Sequence, residues 1–213
     1  MRNFPLRSLC DCSGNNMATP LTFIFVGPSG SGKGTQVGLL KQYLQKRTPE
    51  IPQFSSYTGD GFRSLMNGTT TASRLAKEIQ EAGGLQPEFL AVYLWADNLI
   101  KNVTGKEHLF IDGSPRKIAE SMVLDSAMQF YKRNPIHLIL VNVSPAEAKR
   151  RLLLRARHDD STAEIDRRLS WYTTEVLPAV EYLKGREGYV FHDINGEQTP
   201  EEVHRTILTE LGL

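Results

Sequence analysis

Residues 23–40 read FIFVGPSGSGKGTQVGLL. An apolar run, Phe23 to Val26, breaks into a stretch holding Gly27, Gly30, Gly32 and Gly34, with Lys33 and Thr35 at its end. Helical spacing then resumes at Val37, Leu40 and Leu44, and Pro49 lies just beyond. A strand that turns on glycine into a helix leaves backbone N–H groups unpaired at the helix start. Without Cβ atoms in the way, those N–H groups can curl around an anion. The helix amino end adds partial positive charge and Lys33 adds a full one. Gly27, Gly32 and Lys33 fit the phosphate-loop spacing G-x-x-x-x-G-K-[ST], except that Gly34 takes the hydroxyl position and Thr35 follows one later. The turn, Ser29 and Ser31 included, is predicted to cradle a polyphosphate.

Outward from this turn, four further short apolar runs read as strands: PQFSS (52–56), HLFID (108–112), HLILVNV (137–143) and GYVFHDI (188–194). With the run at 21–26 they suggest five strands buried on both faces. Helical patterns fill the intervals. PEFLAVYLWADNLI (87–100) opens on a proline suited to a first helical position and is apolar around most of its circumference, which predicts deep burial. Helices are also expected over 118–131, 144–155, 161–183 and 199–211. Ser144 with Glu147, and Ser161 with Glu164, have capping-box spacing; Thr199 precedes a proline as a cap; Pro178 is positioned to kink the 161–183 segment. Strands alternating with helices imply a parallel sheet with helices on both faces.

Composition narrows the function classes. The chain has 213 residues, 40% of them hydrophobic, and a net charge of +1. That suits one α/β domain with small insertions. The charge balance gives no case for a nucleic acid or membrane partner, so a cationic site must be local. No apolar stretch approaches the ~20 residues of a membrane helix. Both cysteines, Cys10 and Cys12, fall in residues 1–19, which read as a mobile tail; one C-x-C pair is weak zinc evidence. A core without cysteine fits a reducing compartment, and a cytoplasmic location is the expectation. The five histidines show no ligand spacing and read as structural or surface.

Beyond the glycine turn, further motifs follow in order. YTGDGFR (57–63), GGLQP (83–87), IDGSPRKIAE (111–120) and RARHDD (155–160), with Arg168 after them, resemble the motif series of adenylate kinases and related nucleoside monophosphate kinases. The Lys33-Gly34-Thr35 order of GPSGSGKGTQ also resembles that family. The resemblance spans residues 21 to about 211. It implies a P-loop NTPase-type three-layer α/β fold, with a five-stranded parallel sheet flanked by helices. The core would comprise 20–57 and 87–213, with an inserted monophosphate-binding lobe at 58–86 and a minimal lid at 155–161. The implied reaction is reversible, Mg²⁺-dependent transfer of the ATP γ-phosphoryl to AMP, giving two ADP, by a monomer or small homo-oligomer.

The same resemblance implies roles. Gly27, Ser29, Gly30, Ser31, Gly32, Lys33, Gly34 and Thr35 would hold ATP phosphates, and Arg151 would stack on the donor base. Thr58, Arg63, Gly84, Leu85, Gln86, Gly113, Arg116 and Glu120 would hold AMP. Lys33, Arg116, Arg155, Arg157 and Arg168 would surround the phosphoryl group in flight. Phosphoryl transfer needs positioning and positive charge more than covalent help, so such an arginine cluster is its expected signature. Asp112, at a strand end, would hold Mg²⁺ through water. Asp159 and Asp160 would tether the lid arginines, and Thr58 reads equally as a helix cap.

Three departures bear on this reading. Only Ala156 separates Arg155 from Arg157, so the lid is very short and water exclusion is expected to be weaker or supplied by another surface. Glu120 stands where adenylate kinases carry glutamine; an ionised carboxylate only accepts hydrogen bonds and would suit guanine's paired donors. Ser114 replaces an aromatic residue, which predicts a looser acceptor pocket. The alternatives are therefore the same chemistry with GMP, UMP or CMP, or a nucleotide-binding regulatory protein with little turnover.

Overall fold

The computed structural model describes residues 19–155 and 161–213. The tail with Cys10 and Cys12, and the lid residues Arg157, Asp159 and Asp160, lie outside the described residues. Five strands, β1 (Thr22–Val26), β2 (Gln53–Tyr57), β3 (His108–Asp112), β4 (Ile136–Asn142) and β5 (Tyr189–Asn195), form one sheet in the order β2-β3-β1-β4-β5. Every pairing is parallel. Helices α1 (Lys33–Arg47), α2 (Thr58–Met66), α3 (Thr71–Glu81), α4 (Glu88–Asn102), α5 (Ile118–Phe130), α6 (Pro145–Arg155), α7 (Thr162–Trp171), α8 (Leu177–Lys184) and α9 (Pro200–Leu211) complete the described chain.

Alternation along β1 builds two cores. Phe23 and Phe25 face one layer with Val37, Leu40, Leu44, Phe110, Ile139, Val203 and Ile207. Ile24 and Val26 face the other, with Trp95, Leu99, Leu124, Met128, Val180 and Leu183. All five β1 residues are buried, as a central parallel strand covered on both faces requires. The chain crosses from β3 to β4 over β1, so the strand order reverses beside β1. In open parallel sheets, the crevice at the carboxyl ends of strands around such a reversal is where ligands bind.

Three local expectations are corrected. Helix α4 buries Leu90, Ala91, Trp95 and Leu99, yet Phe89, Tyr93 and Ile100 are 68%, 61% and 74% exposed. It lies in an outer layer with one face on the core, so an apolar circumference does not make it a buried helix. Ser144 accepts from the Glu147 N–H at 3.3 Å, but its own N–H donates to Glu197. The Glu147 carboxylate is taken by Arg150 and Arg151, so half of a capping box forms there, whereas Ser161–Glu164 and Thr199–Glu202 form complete ones. The expected break near Pro178 is a π-turn over Tyr172–Val176, where the Leu177 N–H reaches Tyr172 O. Pro178 has no N–H to return, so the chain resumes an α register from that point.

The histidines are structural in a specific way. Leu21 N–H donates to His108 Nδ1 at 3.0 Å, which leaves Nε2 as the proton-bearing nitrogen facing Thr48 Oγ1 at 2.9 Å. Thr48 in turn donates to Leu44 O. Across β4 and β5, His137 Nδ1 and His192 Nε2 lie 3.1 Å apart, with His137 stacked on Phe23. This hydrogen bond needs one acceptor nitrogen, so both rings cannot be charged. Burial and the neighbouring ring push His137 down to about 4, and burial lowers His192 despite Glu210 beside it.

A base with a depressed folded pKa contributes its full stability above its unfolded value, near 6.5, and loses it as pH falls toward the folded value. Urea unfolding should therefore show stability dropping between pH 6.5 and 4 on the order of 1–2 kcal/mol more in the wild type than in His137→Gln, each pKa unit being worth about 1.4 kcal/mol before allowance for exposure. Equal slopes would remove the pair from the account.

Candidate active site

The turn after β1 is seated by contacts that leave no room for a side chain. A Cβ on Gly27 would lie 2.4 Å from Val141 O, and one on Gly30 2.7 Å from Ala148 O. The loop is therefore clamped between the end of β4 and α6, with Gly30 and Gly32 at φ 84° and 92°. Lys33 folds back over this loop. Its Nζ donates to Gly27 O and Pro28 O, both at 2.8 Å, and lies 3.4 Å from Ser31 Oγ. Desolvation pulls its pKa down to about 8; Asp112 raises it, and Arg116 and Arg155 lower it. Charges from the β3 exit and the end of α6 thus act on Lys33 at the sheet's carboxyl edge, three segments in all. Arg151 joins from α6, its Nη1 3.4 Å from Ser31 O and its Nε 2.6 Å from Glu147.

Asp112 ends β3, in register with Phe25 of β1 and Tyr57 of β2. Burial raises its pKa, opposed by Lys33, Arg116 and the Gly113 N–H. A desolvated carboxylate beside a phosphate loop suits a hydrated divalent cation, which needs only indirect protein contact. Among the described residues no group of three or more His, Cys, Asp or Glu could enclose a metal directly.

Beside these charges lies a narrow recess walled by Phe62, Leu85 and Ala91 and edged by Thr58, Gln86, Gly113, Ser114, Arg116 and Glu120. The Arg116 Nε donates to Gly113 O at 3.0 Å, and its backbone N–H reaches Glu120 Oε2 at 3.3 Å. Two expectations change here. Thr58 is the first residue of α2, and its hydroxyl makes no cap. It pairs instead with Ser114 Oγ at 2.8 Å, both residues being buried. Ser114 therefore does not leave an open pocket, because its hydroxyl closes on Thr58.

The predicted site residues separate into two groups. Thr58, Leu85, Gln86, Gly113, Arg116 and Glu120 line the recess; Gly84 and Arg63 do not. Arg63 pairs with Asp60 and lies over the Tyr57 ring, more than half exposed. Arg155 closes α6 and Arg168 lies on α7.

The adenylate kinase family model matches residues 25–187. The chain belongs to the adenylate kinase family. It is 32% identical over 189 residues to adenylate kinase 1 of Nostoc sp., covering 89% of this chain and 97% of the relative. It is also 32% identical over 194 residues to the adenylate kinase of Thermus thermophilus, covering 89% and 96%, and 31% identical over 192 residues to that of Leptospira biflexa, covering 88% and 98%.

In this adenylate kinase family member, the sequence reading missed Trp171 and Arg167. Trp171 packs against the α4–α5–α8 side. Its ring also lies 5.7 Å from the Arg116 guanidinium, and its Nε1 reaches toward Gly83 O at 3.4 Å. Arg167 donates to Ala82 O. Together they tie α7 to the end of the 58–86 segment. No spacing rule links positions some 85 apart, so only a tertiary contact could expose them.

Ser114→Ala should strand the buried Thr58 hydroxyl and cost about 1–3 kcal/mol in urea unfolding. Adding Thr58→Val should recover part of that loss, since both partners are then removed. Additive losses would mean that the hydroxyl pair is not coupled.

Proposed function

We propose that this enzyme transfers the γ-phosphoryl of ATP to AMP, reversibly giving two ADP. The observation that carries the reading is the convergence on one crevice of Lys33, of Asp112 and Arg116 from the β3 exit, and of Arg155, three separate segments whose charges all act on Lys33. Simple nucleotide binding would not require so many like charges to be held together against their repulsion.

ATP phosphates lie along the loop from Gly27 to Thr35, held by backbone N–H groups and the amino end of α1. Lys33 exchanges its contacts with Gly27 O and Pro28 O for phosphate oxygens, at little cost because both partners are acceptors. AMP enters the recess with its base between the apolar walls and its phosphate on Arg116, with Arg63 swinging from Asp60 to join. An AMP phosphate oxygen attacks the γ-phosphorus as the bond to the β–γ bridging oxygen breaks, and the charge left on ADP stays among Lys33 and the arginines. Arg116, Arg155, Arg157 and Arg168 surround the equatorial oxygens, where charge is spread in a loose transition state. Trp171 holds the Arg116 plane in place. Asp112 would hold a Mg²⁺ ion through water, and the ion would supply charge neutralisation for the phosphates. Residues 58–86 act as the acceptor lobe and 155–161 as the lid.

A coupled assay for ADP with AMP, GMP, UMP and CMP in turn tests this. AMP should give the fastest turnover, and Lys33→Ala should lower kcat by roughly 10²-fold or more, as loss of a transition-state donor does. ATP binding without turnover on any acceptor would replace the reading with a regulatory one. In the same assay, a no-acceptor blank measures the short lid: measurable ATP hydrolysis is expected. A negligible rate in a protein shown by light scattering to be monomeric would refute leakage.

A further inference from the structure

Glu120 is the one acid in the recess, and its setting is unlike that of a solvated carboxylate. It is 2% exposed, on the first turn of α5. Its Oε2 accepts a single long bond, from the Arg116 N–H at 3.3 Å. The walls around it are Phe62, Leu85 and Ala91, and the other polar groups at the edge are largely committed. Thr58 and Ser114 hydroxyls bond each other, and the Gln86 amide donates to Ala76 O. What remains unmatched there is the Gln86 Oε1, a buried acceptor with no partner. The hydroxyl pair keeps one O–H and the Gln86 amide one N–H to donate, whereas an ionised Glu120, buried among them, could only accept. A base presenting an amino group beside an accepting ring nitrogen, the edge of adenine, needs both.

We propose that Glu120 meets the acceptor base as a neutral carboxylic acid, its O–H donating to a purine ring nitrogen and its carbonyl oxygen accepting from the adjacent amino group. This rests on the reading of the recess as the AMP site. A protonated carboxyl carries one donor and one acceptor on adjacent atoms, the pattern a primary amide presents. Oε2 keeps a second lone pair beside its bond from Arg116, and Oε1 is the oxygen to carry the proton. Burial favours this form and raises Glu120, with Glu88 assisting, while Arg116 and Lys117 oppose it. Lys117 and Glu88 largely cancel, being bridged at 2.9 Å. A monophosphate on Arg116 would offset the remaining cation, so substrate binding itself would draw the proton on.

The consequence is that recognition of AMP depends on pH through Glu120. Above the ionisation of Glu120 the carboxylate only accepts, which disfavours adenine and favours a base with paired N–H donors, as guanine has. AMP binding should weaken by up to ~tenfold per pH unit in that range, and the preference for AMP over GMP should narrow.

The test compares wild type with Glu120→Gln from pH 6 to 9. Calorimetric titration with AMP is run in two buffers of different ionisation enthalpy, alongside the apparent KM at saturating MgATP. Titration of the AMP phosphate affects both proteins, so it cancels in their ratio. The expected result is a Kd ratio, wild type over Glu120→Gln, that climbs with pH, with proton uptake on AMP binding in the wild type in excess of that in Glu120→Gln. Thermal melts of both proteins check that the amide has not disturbed the fold, and Glu120→Asp, which keeps the acid but shortens its reach, should retain a pH-dependent ratio to Glu120→Gln. A flat ratio with no excess proton uptake, in an enzyme that turns AMP over, would overturn the neutral acid alone. Failure of AMP to bind or turn over at any pH would overturn the functional reading and this inference with it.

Discussion

The site depends on holding the Lys33 ammonium out of water beside other charges. Burial lowers its pKa, Arg116 and Arg155 lower it further, and a single carboxylate, Asp112, opposes them. Such an arrangement is unfavourable on its own and persists only if the rest of the fold is stable enough to impose it. The two cores supply that stability. Each uses alternate residues of β1, so the strand that leads into the loop is fixed from both sides. Loop geometry is then set by close backbone approach to β4 and α6, not by side-chain packing.

The region around the acceptor recess is built on different physics. Its polar groups are paired off by short-range hydrogen bonds, Thr58 with Ser114 and Gln86 with Ala76 O, between walls that are apolar. Arg116 connects the two environments. It is steadied by Gly113 O and the Trp171 ring, and it contacts Glu120 through its backbone while its guanidinium acts on Lys33. Charge placed on Arg116 is therefore felt both at Lys33 and at Glu120 in the recess.

Much of this was legible in the primary structure because it is encoded locally. All five strands and the helices outside residues 58–86 follow from period and punctuation, and the Ser161–Glu164 box forms as its spacing says. Elsewhere a local rule met a stronger competitor. Glu147 had the spacing to complete a cap, but two arginines on its own helix offered full charges. Thr58 had a free helix start beside it, but a buried hydroxyl brought from β3's exit was the closer partner. The apolar girth of α4 suggested burial, but an outer-layer helix can cover only one face, leaving Phe89, Tyr93 and Ile100 exposed.

By itself, the sequence determined the phosphate loop, the parallel α/β architecture and the set of charged residues available, since each depends on neighbours within a few positions. Only the tertiary structure decided which of those charges converge, that Trp171 lies under Arg116, and that Glu120 is sealed from water. Convergence and burial are properties of segments brought together from distant parts of the chain. The desolvation that follows, which sets the protonation of Lys33, Asp112 and Glu120, does not exist until the sheet and its helices have closed around them.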